Sequence, residues 1–134
     1  MRQSSVIKKI LIFLFALTVI LANSEHKKEM ALHHFMQGEF LMNQGNYALA
    51  VLEFQDAIDL DPNAATIHIS IADAYRRLGK GKRSEDHLMI ALDLDPKDLE
   101  AREMLGQLYL AQNKFIDAEL VFEELKILDP DNLD

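Results

Sequence analysis

Residues 57–62 read AIDLDP, residues 91–96 read ALDLDP and residues 125–130 read LKILDP. Their closing prolines, Pro62, Pro96 and Pro130, are the only three in the chain and stand 34 residues apart both times. Aligned on them, the sequence divides without insertion or deletion into Ala31–Ala64, Ala65–Asp98 and Leu99–Asn132. A fixed-period repeat of this length signals a helical array rather than one globular core. Inside each block the apolar and small residues recur at spacings of three and four, which is helical. A small slot holds Gly38, Ala72 and Gly106, followed three positions on by Leu41, Tyr75 and Tyr109. A second small slot holds Ala50, Ser84 and Ala118, followed four on by the bulky Phe54, Leu88 and Phe122. Helices approach closely only where one presents a small residue to its neighbour's bulk. Each block therefore reads as two amphipathic helices, in the first block roughly Ala31–Asn43 and Tyr47–Asp59. Gly45, Gly79 and Asn113 stand between the runs and suit the left-handed conformation that ends a helix. Proline halts each second run, and Asn63 and Asp98 are expected to cap the helices that follow.

These slots together resemble the tetratricopeptide repeat family, with the likeness covering Ala31 to Asn132. The resemblance implies an all-α fold, a right-handed α-solenoid of three helix-turn-helix repeats whose concave groove binds a protein or peptide partner. Two departures stand out. The slot near the start of each repeat that usually holds tryptophan reads His34, His68 and Arg102, and Gly81 replaces the aromatic residue found as Tyr47 and Phe115. The second departure predicts a looser middle turn. In the family the first helix of each repeat lines the groove. By slot, that gives Leu32, Phe35, Met36, Glu39, Met42 and Asn43, then Thr66, Ile69, Ser70, Asp73, Arg76 and Arg77. The third repeat gives Glu100, Glu103, Met104, Gln107, Leu110 and Ala111. Leu32, Phe35, Met36, Met42, Ile69, Asp73, Arg76, Arg77, Met104 and Gln107 are the candidate partner residues. The methionine-rich first third suits an apolar segment, although Phe35 and Met36 could equally pack on their own helix pair. Chaperone-binding relatives clamp a terminal carboxylate with Lys, Asn and Arg. Phe35, Glu39, Ser70, Glu100 and Met104 occupy those slots here, so that clamp is absent.

Before the repeats, Arg2, Lys8 and Lys9 precede an apolar run, Ile10–Ala22, that only Thr18 interrupts, and Ala22-Asn23-Ser24 offers small residues. This order predicts an export signal over residues 1–24, cleaved after Ser24, or the same segment retained as a membrane anchor. Residues 25–30 form a lead-in. Export implies the bacterial periplasm, or anchorage in the inner membrane facing it. The whole chain of 134 residues has net charge −8, and residues 1–24 hold three of its 14 basic residues and none of its 22 acidic ones, so the remainder carries −11. Arg76, Arg77, Lys80, Lys82 and Arg83 cluster near the middle turn. They could dock an acidic segment, but the plainer reading is a solvated turn at a helix C-terminus. Residues 133–134 resemble the lead into a further repeat. The expectation is a truncated or partner-covered end, with an apolar face around Val121, Leu125 and Leu128 open to self-association.

The chemistry of catalysis is missing. Zero cysteines exclude a disulfide framework, a thiolate metal site and a cysteine nucleophile. The acidic balance argues against nucleic-acid binding, which needs clustered cations. His26, His33, His34, His68 and His87 include no pair at the i, i+4 spacing of a helical metal site, and His34 and His68 read as packing residues. No serine lies in a nucleophile elbow, and no glycine-rich phosphate loop exists. The reading is a non-enzymatic scaffold without cofactor or metal. Its alternative is the N-terminal module of a larger envelope protein, either an enzyme or an assembly factor.

Overall fold

The computed structural model describes residues 2–130. Among them are six α-helices and no strand: α1 Arg2–Asn43, α2 Tyr47–Leu60, α3 Ala65–Arg77, α4 Gly81–Leu94, α5 Leu99–Ala111 and α6 Phe115–Leu128. Three hairpins, α1/α2, α3/α4 and α5/α6, stack in chain order, each touching its neighbours. The first helices of adjacent hairpins also touch (α1 with α3, α3 with α5), whereas α2, α4 and α6 make no contact with one another. The stack is therefore closed on the first-helix side and splayed on the other, which makes the first helices the lining of its inner face.

Each hairpin is held by its small and bulky slots together. A Cβ placed on Gly38 would lie 2.4 Å from the ring of Phe54, and one on Gly106 would lie 2.7 Å from that of Phe122. The middle repeat holds Ala72 and Leu88 at the same two slots, both fully enclosed. One repeat joins a larger first-helix residue to a smaller partner, and two do the reverse. Close-packed interiors demand this kind of volume conservation. Two apolar clusters result. One joins Ala50, Phe54 and Ile58 of α2 to Ile67, Ile71 and Tyr75 of α3. The other joins Leu88 and Ala91 of α4 to Ala101, Leu105 and Leu108 of α5. Each spans a junction between repeats, so no repeat owns a core of its own.

The turns follow the expected chemistry. Gly45, Gly79 and Asn113 all take positive φ, at 75°, 71° and 60°. The middle turn is no looser than the others. In every repeat the same two bonds close it, Asn46 N–H to Leu41, Lys80 N–H to Tyr75 and Lys114 N–H to Tyr109 at 2.9 Å, followed by the bond that opens the second helix. Backbone bonding sets the turn, and the aromatic slot contributes little: Phe115 is largely exposed, and the space above Gly81 is taken by the Gln112 amide.

Three expectations are corrected. The first helix does not begin at Ala31. α1 runs unbroken from Arg2 through the apolar segment into the first repeat, because no Gly or Pro occurs before Gly38. Asn63 does not cap α3. The capping position is Ala64, without a side-chain bond, whereas Asp98 at the equivalent slot accepts from Ala101 N–H at 2.8 Å. On α6, Leu125 is buried and Val121 packs on the second cluster. Leu128 is exposed as expected, but the main exposed apolar stripe consists of Ile116, Leu120 and Ile127, which lie on one side of the helix by their spacing. The expectations for residues 131–134 fall outside the described residues.

Candidate partner groove

The inner face gathers most of the predicted residues into two clefts and leaves some outside. Met42 of α1, Ile69 and Asp73 of α3, and Met104 of α5 line one cleft with Glu39, Ser70 and Glu100. It continues past Arg76, Glu103 and Gln107. Ile69 is itself buried, so it forms the floor. The second cleft lies toward the N-terminal end, where Leu32 and Phe35 meet Ala31, Ala64 and Ile67, with Lys28 and Asp61 at the rim. Phe35 also packs on Phe54, with ring centroids 6.0 Å apart. Phe35 thus lines a cleft and packs on the first apolar cluster at once. Met36 is exposed and lines neither cleft, and Arg77 is drawn to the turn side by Tyr47, whose ring centroid lies 5.4 Å from the guanidinium.

The electrostatics differ from the residue count. Asp73 binds both arginines, accepting from Arg76 Nε at 3.0 Å and Arg77 Nε at 2.9 Å. Lys82 pairs with Asp86 at 2.8 Å, and Arg83 lies over the Tyr75 ring. The basic cluster is thus largely engaged within its own repeat. Its acidic partners at i−3, i−4 and i+4 were visible in the sequence as helical ion-pair spacings. Glu39, Glu100 and Glu103 line the clefts, while the Arg76 guanidinium beside them is committed to Asp73. The inner face is net negative.

The three slots that replace tryptophan share one design. His68 Nε2 lies 2.9 Å from the Pro62 carbonyl, and Arg102 Nη1 donates to the Pro96 carbonyl at 2.8 Å. Each ties its helix to the preceding linker. Each also reaches the second helix of its own repeat: His34 to Glu53 at 2.8 Å, His68 to His87 at 3.1 Å and Arg102 to Glu124 at 3.2 Å. Because the Pro62 carbonyl only accepts, His68 donates from Nε2. In its neutral form, Nδ1 must then accept from the Nδ1–H of His87. Burial is the main cause holding the His87 imidazole below its ordinary pKa, and nearby His68 adds to it. Tyr75 stacks on the ring, and of the adjacent charges Asp86 opposes the shift while Arg83 assists it.

A model described as "TPR repeat" matches residues 38–79, and one described as "Tetratricopeptide repeat" matches residues 69–132. The chain belongs to the tetratricopeptide repeat family. Among solved structures, its TPR array is similar to the first TPR domain of Spaghetti (RPAP3) bound to the HSP90 peptide SRMEEVD. The identity is 26%, with 79% of this chain and 84% of that one covered and a TM-score of 0.75. The first TPR domain of human RPAP3 is 27% identical over 79% and 84% of the two chains, with a TM-score of 0.74. The Arabidopsis OM64 TPR domain shares the fold at 21% identity, 80% and 88% coverage and a TM-score of 0.76. A curated relative, Protein O-mannosyl-transferase F38B6.6 of Caenorhabditis elegans, is 29% identical over 75 residues, which is 56% of this chain and 11% of that protein. The chain thus spans about a tenth of that relative's length.

His87 yields a stability prediction. A folded-state pKa below the unfolded value means that the native TPR array binds fewer protons than the unfolded chain, so stability falls on acidification. For residues 25–134, the urea midpoint should hold above about pH 6.5 and decline as pH falls toward 5. H87Q should lessen that decline, and identical pH profiles for the two proteins would refute the assignment.

Proposed function

We propose that this chain is a non-catalytic interaction module whose inner groove receives a partner segment carrying both apolar and basic residues. One observation carries the reading. The carboxylates of Glu39, Glu100 and Glu103 border clefts floored by Met42, Ile69 and Met104, with the Arg76 guanidinium already held by Asp73. Peptide recognition by the RPAP3 relative supports the use of the groove. The partner chemistry differs, because an acidic terminus such as that of SRMEEVD would meet like charge here. Apolar anchors supply affinity, with charge setting orientation and on-rate.

Two labelled peptides, one of about 12 residues and the other the heptapeptide SRMEEVD, should separate the possibilities by fluorescence anisotropy. A helical peptide with Leu at i, i+3, i+4 and i+7 and Lys or Arg on its other positions should bind residues 25–134 and weaken as salt rises. Reversing both Glu100 and Glu103 to Lys should weaken it at least about tenfold. SRMEEVD should not bind. Tight SRMEEVD binding, or indifference to the charge reversal, would contradict the proposal.

The module is proposed to work outside the cytoplasm, exported through residues 1–24 to the bacterial periplasm or held at the face of the inner membrane. In support, α1 is long and apolar enough to cross a membrane, a test that signal sequences also pass. Its side chains from Ile10 to Leu21 are exposed. Intact mass from the membrane and periplasmic fractions distinguishes the two locations: the full chain in the membrane means an anchor, a chain starting at Glu25 in the periplasm means cleavage, and recovery of the full chain from the soluble cytoplasm would refute export.

A further inference from the structure

The first repeat carries a side-chain set that the other two lack. His34 Nδ1 lies 2.8 Å from Glu53 Oε2 and 4.0 Å from Asp56 Oδ2, and the three donor atoms all fall within 4.8 Å of one another. At the matching slots the second repeat has His68, His87 and Ile90, and the third has Arg102, Val121 and Glu124. In the third repeat an arginine answers the glutamate with a permanent charge. In the first, two carboxylates converge on an imidazole, and among the described residues His34 is the basic side chain within 4.0 Å of either carboxylate. The second lock on this slot is also absent. His68 and Arg102 bond a linker carbonyl, but the position equivalent to Pro62 is Lys28, inside continuous α1, and His34 bonds only Glu53 among the described residues.

We propose that His34, Glu53 and Asp56 form a binding site for a divalent transition cation of the zinc class. A tetrahedral zinc with bonds near 2.0–2.2 Å places its ligands roughly 3.3 Å apart. The observed 2.8 and 4.0 Å straddle that value, so small side-chain rotations close the site. One imidazole nitrogen and two carboxylate oxygens suit a borderline cation better than calcium, which takes six or more oxygens. His34 and Glu53 are half-buried and Asp56 is exposed, which leaves the fourth position for water and an open entry path. The cation would supply the permanent charge that Arg102 brings to the third repeat and pin α1, which continues into the apolar N-terminal segment, to α2.

The test uses the full chain in detergent micelles, titrated with zinc chloride alone by calorimetry and by thermal unfolding. One zinc per chain should bind, with a rise in Tm. E53Q and H34A should each weaken binding at least about tenfold, each compared with its own metal-free Tm, and D56N should weaken it less. H33A should bind as the parent does. No zinc uptake would overturn the site. So would uptake that survives both E53Q and H34A, or that disappears with H33A.

Discussion

The array depends on one steric agreement within each hairpin, in which the first helix gives up volume where the second helix inserts it. Gly38 faces Phe54, Ala72 matches Leu88 and Gly106 faces Phe122. This contact fixes how closely the two helices approach, and every larger feature follows from that spacing. Because the hairpins are narrow, the bulk of Phe54 and Leu88 continues through to the next repeat. The apolar clusters therefore form across junctions rather than inside repeats. Stability is accordingly shared between neighbours, as expected for a quasi-one-dimensional stack.

The same geometry makes the groove. First helices that touch across junctions, beside second helices that do not, leave α1, α3 and α5 lining one face. The exposed side chains there, among them Leu32, Glu103 and Gln107, are free of the packing task and can vary, whereas Phe35, Met42, Ile69 and Met104 also pack on the apolar clusters. Their carboxylates and methionines give an inner surface whose chemistry departs from what an acidic peptide requires. The slots that replace tryptophan vary more conservatively, because each must reach the second helix of its own repeat.

Period, helix pairing and turn positions were legible because they rest on local or repeated signals. Gly45, Gly79 and Asn113 announce a left-handed residue, and three prolines set the register. The groove slots were legible to the extent that a helix face is. What could not be read depends on the partner across a hairpin or on a missing signal. The convergence of Glu53 and Asp56 on His34, 19 and 22 residues away, requires knowing how two helices face each other. The pairing of His68 with His87 has the same origin. The start of α1 was misplaced because the expectation of an address says nothing about conformation, and no glycine or proline there breaks a helix. Asn63 looked like a cap by type, but lies one position before the slot that Asp98 fills. On α6, hydrophobicity alone did not separate the inward Val121 and Leu125 from the outward Ile116 and Leu120.

A double-mutant cycle across Gly38 and Phe54, measured by urea unfolding of residues 25–134, tests the steric agreement most directly. G38A places a Cβ against a fully enclosed ring and should cost about 1–3 kcal/mol. F54L empties part of the contact and should cost about 1–2 kcal/mol. The double variant recreates the Ala72 and Leu88 pairing of the middle repeat. It should therefore be more stable than the sum of the single effects by at least about 1 kcal/mol, a difference from which the helix preference for alanine cancels. Additivity within about 0.5 kcal/mol would show that the two positions do not sense each other, and would contradict the account.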